Sequence, residues 1–162
     1  CIRDRLNTHI DGILATSTVP GPLPDEMVRR AEEAAGRIAA ALDYVGLLAV
    51  ELFYAGESAA QPLIVNEFAP RVHNSGHWTL DACAVCQFQN HIRAVAGWPI
   101  AATTRHSDAV MINLIGADVN DWQALASEPG ACLHVYGKNE ARPGRKMGHI
   151  TKLTPMARKP HI

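Results

Sequence analysis

The chain has 162 residues, of which 48% are hydrophobic and 19% charged, and its net charge of -1 gives a pI near 6.8. That balance excludes a global electrostatic attraction to nucleic acid or to an anionic membrane surface, so any basic site must be local. The apolar runs fall well short of the roughly 20 residues a membrane-spanning helix needs, and the length suffices for one well-buried core or two small ones.

The opening CIRDRLN is neither a Met start nor a basic segment leading into an apolar one, and it reads as part of a larger polypeptide without a secretory leader. Residues 11–19, DGILATSTV, are apolar and β-branched and predict a strand that PGPLP ends. A helix is predicted over 24–42. Met27, Val28, Ala31, Ala34, Ala35, Ile38 and Leu42 fall on one face, and Arg29, Arg30, Glu32, Glu33 and Arg37 take the other. Pro24, Asp25 and Glu26 suit its first turn.

Residues 44–54 and 62–68 both read as strands, joined by AGESAAQ into a hairpin. A polar loop, 68–78, leads into a helix predicted over 79–96, with Thr79 as N-cap and Gly97-Trp98-Pro99 as the stop. Beyond a boundary near 99–107 come a strand over 109–116, a short helix over 118–125, a strand over 131–137 and a final strand near 147–153. The expected class is α/β (α+β), in two parts: residues 1–100 and a small β-rich part, 101–162.

Cys1, Cys83, Cys86 and Cys132 do not form the framework of a small secreted domain, which points to a reducing cytoplasm. Cys83-x-x-Cys86 falls inside the predicted helix 79–96, and no second CxxC completes a zinc tetrad, so the pair reads as structural.

If the hairpin is centred near residue 59, Glu51 lies directly opposite Glu67. Cross-strand Cβ atoms sit about 4.5–5.5 Å apart, and like charges there destabilise unless something neutralises them. A divalent cation would do so, with Asn66 nearby and substrate phosphates completing the shell; the alternative is two glutamates splayed into water. In VNEFAPRVHNSGHW, Arg71 suits bidentate capture of an oxyanion, and His73, Asn74, Ser75 and His77 precede a helix N-terminus, which itself attracts anions. The plainer reading is a capped, internally hydrogen-bonded loop.

VNEFAPRVHNSGHWT, QFQNHIRAVAGWP, AVMINLIGADV and YGKNEARPGRKMGHIT together resemble the C-terminal half of the 5-(carboxyamino)imidazole ribonucleotide synthase family, purine-biosynthetic enzymes of the ATP-grasp group. The resemblance implies the C-terminal part of an ATP-grasp domain followed by a small β-rich subdomain. It implies ATP and magnesium as cofactors, with 5-aminoimidazole ribonucleotide and bicarbonate as substrates and carboxyphosphate as intermediate. It further implies a cytoplasmic homodimer with no nucleic-acid or membrane partner. Glu51 and Glu67 fall on the family's magnesium ligands, with Asn66 and Glu67 on the ATP side. Arg71, His73 and Asn74 fall on the catalytic loop around carboxyphosphate, with Ser75 and His77 close by on the substrate side. In GKNEARPGRKMGH, Lys138 and Arg145 fall on the ribonucleotide 5'-phosphate site, with Arg142 beside them.

The only lysines are Lys138, Lys146, Lys152 and Lys159, so the lysines that such enzymes place on the ATP phosphates are absent upstream and the chain alone is expected not to hydrolyse ATP. A formate-using purine transformylase or a biotin carboxylase would lack HNSGHWT together with RPGRKMGH. A non-catalytic fragment that binds a phosphorylated ribonucleotide is the alternative outside enzymes.

Overall fold

The computed structural model describes residues 5–156. Cys1 and Lys159 lie outside the described residues. β1 (Leu6–Ile10) and β2 (Ile13–Val19) form a hairpin whose two-residue turn is Asp11-Gly12, both at positive φ. Asp-Gly is favoured in that turn because the mirror-image geometry needs left-handed backbone at both positions. The strand expected over 11–19 is therefore corrected at its start. β1 escaped prediction because LNTHI, with four of its five residues exposed, lacks an apolar face.

Helix α1 (Asp25–Ala41) begins where expected, with the Pro24 carbonyl accepting from the Met27 and Val28 amides at 2.9 and 3.0 Å. Of its apolar face, Met27 alone is fully buried. Strands β3 (Ala49–Tyr54) and β4 (Leu63–Ala69) form a separate two-stranded antiparallel sheet. The strand expected from residue 44 starts at 49 because side chains hold the preceding segment. The Tyr44 hydroxyl donates to the Pro70 carbonyl (2.7 Å), and the Leu47 amide donates to His91 Nδ1 (3.0 Å).

The single helix predicted over 79–96 is instead two, α2 (Thr79–Ala82) and α3 (Gln87–Val95). Between them Cys83 is extended and makes a β-bridge with Arg105. Trp78, not Thr79, holds the N-cap position of α2. The Thr79 hydroxyl donates to the Gly76 carbonyl (2.7 Å) and accepts from the Gln87 amide (3.0 Å), which ties the second helix to the first. Cys83 and Cys86 thus lie in the break, not inside a helix, and both are buried.

The chain continues through β5 (Ser107–Ile115), a 3-10 turn over Gly116–Asp121, α4 (Trp122–Ala126), β6 (Ala131–Val135) and β7 (Lys146–Pro155). One antiparallel sheet runs β1-β2-β5-β7-β6, so the N-terminal hairpin and the C-terminal strands share a sheet. At its centre Met147, Gly148, His149, Ile150 and Thr151 are all buried. Gly148 is required by close approach: a Cβ there would meet the His134 carbonyl oxygen at 2.5 Å.

Leu14, Val19, Ala109 and Met111 on the sheet pack against Trp78, Ala82 and Cys83, with Leu153 at the margin. Trp78 is 1% exposed. Burying so large a side chain stabilises by about 3 kcal/mol, and it anchors the loop before α2 onto the sheet. Among the described residues, no helix is long and apolar enough to cross a membrane.

Candidate active site

The expected register holds: Glu51 pairs with Glu67, between Val50↔Phe68 and the register shift that follows. That shift leaves Asn66 as an unpaired, exposed bulge residue between Val65 and Glu67. Glu51 is 9% exposed, whereas the Glu67 side chain is 57% exposed. The buried carboxylate is held from the sheet: Asn7 Nδ2 donates to Glu51 Oε1 (3.1 Å), and the Ser17 hydroxyl donates to Asn7 Oδ1 (2.8 Å).

His73 lies between the two glutamates, its Nδ1 3.9 Å from Glu51 Oε1 and its Nε2 3.7 Å from Glu67 Oε1. Burial pushes the imidazole below its ordinary pKa, with Arg5 and Arg71 acting the same way against the opposing pull of Glu51 and Glu67, so near neutrality these are dipole contacts with an uncharged ring. Its tautomer follows from Ser75. Arg5 donates to the Ser75 hydroxyl oxygen at 2.7 Å, and that hydroxyl lies 2.7 Å from His73 Nδ1, the nitrogen that also accepts from the Ser75 backbone amide, at 3.4 Å. Nδ1 therefore accepts, and the proton sits on Nε2, facing Glu67.

Ligand atoms of Glu51, Glu67 and His73 lie within 4.8 Å of one another. Paired carboxylates supply the hard oxygens that magnesium takes, and the protonated Nε2 makes His73 a hydrogen-bond donor at this point, not a ligand. The residues fit a magnesium ion held by Glu51 and Glu67. A cleft of about 470 Å³ opens over them, also lined by His9, Lys138, Gly144 and Lys146. Burial lowers the Lys146 pKa, while Glu51 and Glu67 oppose that shift. Lys138 donates to the Lys146 carbonyl and lies 5.5 Å from the Tyr136 ring centre.

Of the residues singled out in the sequence, the cleft therefore gathers Glu51, Glu67, His73 and Lys138. Arg71 is exposed beside it, donating to the Val72 carbonyl at 3.1 Å. Asn74 makes a reciprocal amide pair with buried Asn113 (2.9 and 2.7 Å), whose Nδ2 also donates to the Leu14 carbonyl (2.8 Å). Ser75 is fully buried and supports His73. His77 packs against Phe88, Tyr136 and His149. Arg142 is paired with the Glu140 carboxylate (2.7 Å) and Arg145 donates to the Glu140 carbonyl (3.2 Å), so both sit on the turn before β7 and neither lines the cleft. His9 and Lys146 line it without having been chosen as site residues; the strand that carries His9 had no readable pattern.

A second cluster, Asp81, His134 and His149, lies under the loop. His134 Nε2 is 2.9 Å from Asp81 Oδ1, its ring stacks on His149 at 4.5 Å and 12°, and the Tyr136 hydroxyl is 2.8 Å from His149 Nδ1. Nearly parallel rings direct their nitrogens along parallel planes instead of at one point. The cluster thus reads as a hydrogen-bonded floor.

Facing carboxylates on a hairpin, with lysines across a cleft and a donor-rich loop at its rim, are the features of a site for metal-bound phosphates. Residues 4–88 match the model of the ATP-grasp domain, and the chain belongs to the ATP-grasp family. Residues 109–159 match the phosphoribosylaminoimidazole carboxylase C-terminal domain. Within the family the chain is similar to N5-carboxyaminoimidazole ribonucleotide synthase. It is 55% identical over 149 residues to the Brucella melitensis protein of that name, covering 92% of this chain and 40% of the relative. The Escherichia coli K12 protein is 46% identical over 145 residues, covering 89% and 39%. The crystal structure of N5-carboxyaminoimidazole synthase from Aspergillus clavatus, in complex with ADP and 5-aminoimidazole ribonucleotide, superposes with a TM-score of 0.86 at 34% identity, covering 93% of this chain and 42% of that one. The chain thus spans about 40% of the length of these relatives.

Proposed function

We propose that this chain supplies the metal-binding and carboxyl-transfer end of a ligase that uses ATP and bicarbonate to carboxylate 5-aminoimidazole ribonucleotide, giving 5-carboxyaminoimidazole ribonucleotide for de novo purine biosynthesis. One observation carries the reading: Glu51 and Glu67 face each other across a hairpin, with Lys138 and Lys146 lining the same cleft. Magnesium held by the two glutamates would neutralise phosphate charge as it develops.

In the carboxyl-transfer step the substrate amine attacks the carbon of carboxyphosphate, a C–N bond forms, phosphate leaves with the electrons of the C–O bond, and one amine proton passes to the departing phosphate. Arg71, His73 and Asn74 are assigned to that anion. His73 offers Nε2–H from a position fixed by Ser75, Arg71 offers a planar fork at the rim, and the Asn113-braced Asn74 holds the loop in place. Fixed donors of this kind stabilise developing charge without reorganising. Ser75 and His77 belong to the substrate side of the loop, and Asn66 with Glu67 to the ATP side.

Lys138, Arg142 and Arg145 are assigned to the ribonucleotide 5'-phosphate, Lys138 as a point charge at the cleft and the two arginines as planar forks on the turn before β7, outside its lining. Residues 1–100 would then be the end of the ATP-grasp domain and 101–162 the small C-terminal domain. A cytoplasmic homodimer of the complete enzyme belongs to the same proposal.

The two basic assignments should fail differently. Arg145→Ala in the complete enzyme is expected chiefly to raise KM for the ribonucleotide, by about 1.5–3 kcal/mol, because a phosphate contact exists in both ground and transition states. Arg71→Ala should chiefly lower kcat and leave that KM nearly unchanged. Steady-state kinetics with each substrate varied in turn separates them: if both variants raised only the ribonucleotide KM, the loop would belong to the nucleotide pocket.

A further inference from the structure

The carboxamide of Gln87, 6% exposed at the start of α3, closes the loop that carries His73 and His77. Its Oε1 lies 3.1 Å from the His73 amide nitrogen, and its Nε2 lies 2.8 Å from the His73 carbonyl oxygen and 2.8 Å from His77 Nδ1. The His73 N–H can only donate and the His73 carbonyl can only accept, so the orientation of the amide is forced. The end that faces His77 is NH2, a donor. His77 Nδ1 must therefore accept, which leaves the His77 proton on Nε2.

The fit is close. A Cβ at Gly76 would meet Gln87 Oε1 at 2.5 Å, so glycine at this position lets the amide lie flat against the turn. Gln87 is held in turn through its own amide by the Thr79 hydroxyl, which also binds the Gly76 carbonyl.

We infer that Gln87 is a positioning residue for carboxyl transfer: it clamps the backbone of His73 between the two glutamates and fixes His77 in the neutral, Nε2-protonated form. The inference rests on the proposed function for its kinetic consequence, while the tautomer stands on geometry alone. The environment of His77 agrees. Burial, with His73, His134 and Lys146 around it, lowers its pKa to about 4, and its ring neighbours are His149, Tyr136 and Phe88. A neutral imidazole has one acceptor and one donor, and Gln87 decides which nitrogen is which.

The test uses the complete enzyme labelled with 15N-histidine, with the His77 ring assigned by its loss in His77→Asn. At pH 7 the wild type is expected to show an unprotonated Nδ1 and a protonated Nε2. Gln87→Glu replaces the donor facing His77 with a carboxylate oxygen, and Nδ1 is then expected to carry a proton. Gln87→Met keeps the volume and removes all three bonds; the His77 tautomers should mix, and kcat should fall about tenfold or more while the ribonucleotide KM changes less than about threefold. A protonated Nδ1 in the wild type, or one that stays unprotonated in folded Gln87→Glu, overturns the inference whatever the enzyme's substrate. Should Gln87→Glu not fold, Gln87→Met decides: a single unchanged tautomer overturns it. Altered ring states with unchanged kcat would remove the positioning role and leave the proposed function standing.

Discussion

Glu67→Gln in the complete enzyme is expected to lower kcat by at least two orders of magnitude, equivalent to about 3 kcal/mol, with little change in thermal midpoint. The two halves of that expectation have separate causes. Glu67 is exposed, the uncharged His73 ring lies 3.7 Å away and the facing Glu51 carries a like charge, so the fold loses little when the charge goes. The metal site loses one of two anionic ligands, and the remaining one, Glu51, is held by Asn7 and cannot shift across the hairpin. Glu51→Gln should be less clean, because a buried group with a specific donor is replaced. Unchanged turnover of Glu67→Gln at limiting magnesium would refute the metal assignment.

Stability is expected to fall steeply as the pH drops below about 6.5, through the buried His149 and the half-buried His77. Burial first, and then neighbouring histidines, hold His149 down to about 3; burial, His73, His134 and Lys146 hold His77 down to about 4. Both folded values lie below the unfolded value, so the unfolded chain takes up protons first. The stability from burying these rings in the neutral form is complete above the unfolded value and is lost as the pH falls towards the folded ones. Within that window each ring contributes a slope of up to about 1.4 kcal/mol per pH unit. His149 is 1% exposed and, among the described residues, its Nε2 has no hydrogen-bond partner. Urea denaturation at pH 7, 6 and 5 measures the slope, and His149→Gln should reduce it by about one proton; an unaltered slope would contradict the assignment.

The Glu51–Glu67 pairing was legible because it needs only the hairpin's centre and a two-residue period, and the register shift begins just beyond it. The shift itself was not legible, and it makes Asn66 a bulge residue instead of a paired one. β1 could not be read because its role in the site depends on polar residues: Asn7 holds Glu51 and His9 lines the cleft. The break between α2 and α3 hides in a sequence with helical periodicity. It is set by Cys83 pairing with Arg105, 22 positions away, and by Thr79 binding Gln87, contacts that no local pattern encodes. The loop was recognisable as a concentration of donors, but its braces were not. Gln87 and Asn113 lie 14 and 39 positions from their partners and look like ordinary helix and strand residues. Lys146 was visible only as one of four lysines, and the folded chain is what shows Lys138 and Lys146 lining the cleft and Arg142 and Arg145 outside its lining.

The most direct measurement follows carbon and phosphate together. The complete enzyme is incubated with ATP, magnesium, 14C-bicarbonate and 5-aminoimidazole ribonucleotide, and phosphate release is compared with label in the acid-labile carbamate product. The expected result is one phosphate per labelled carboxylate, with phosphate release dependent on both the ribonucleotide and bicarbonate, and loss of both signals in Glu67→Gln. Phosphate release with no label incorporated, or release supported by formate or another carboxylate in place of bicarbonate, would contradict the account.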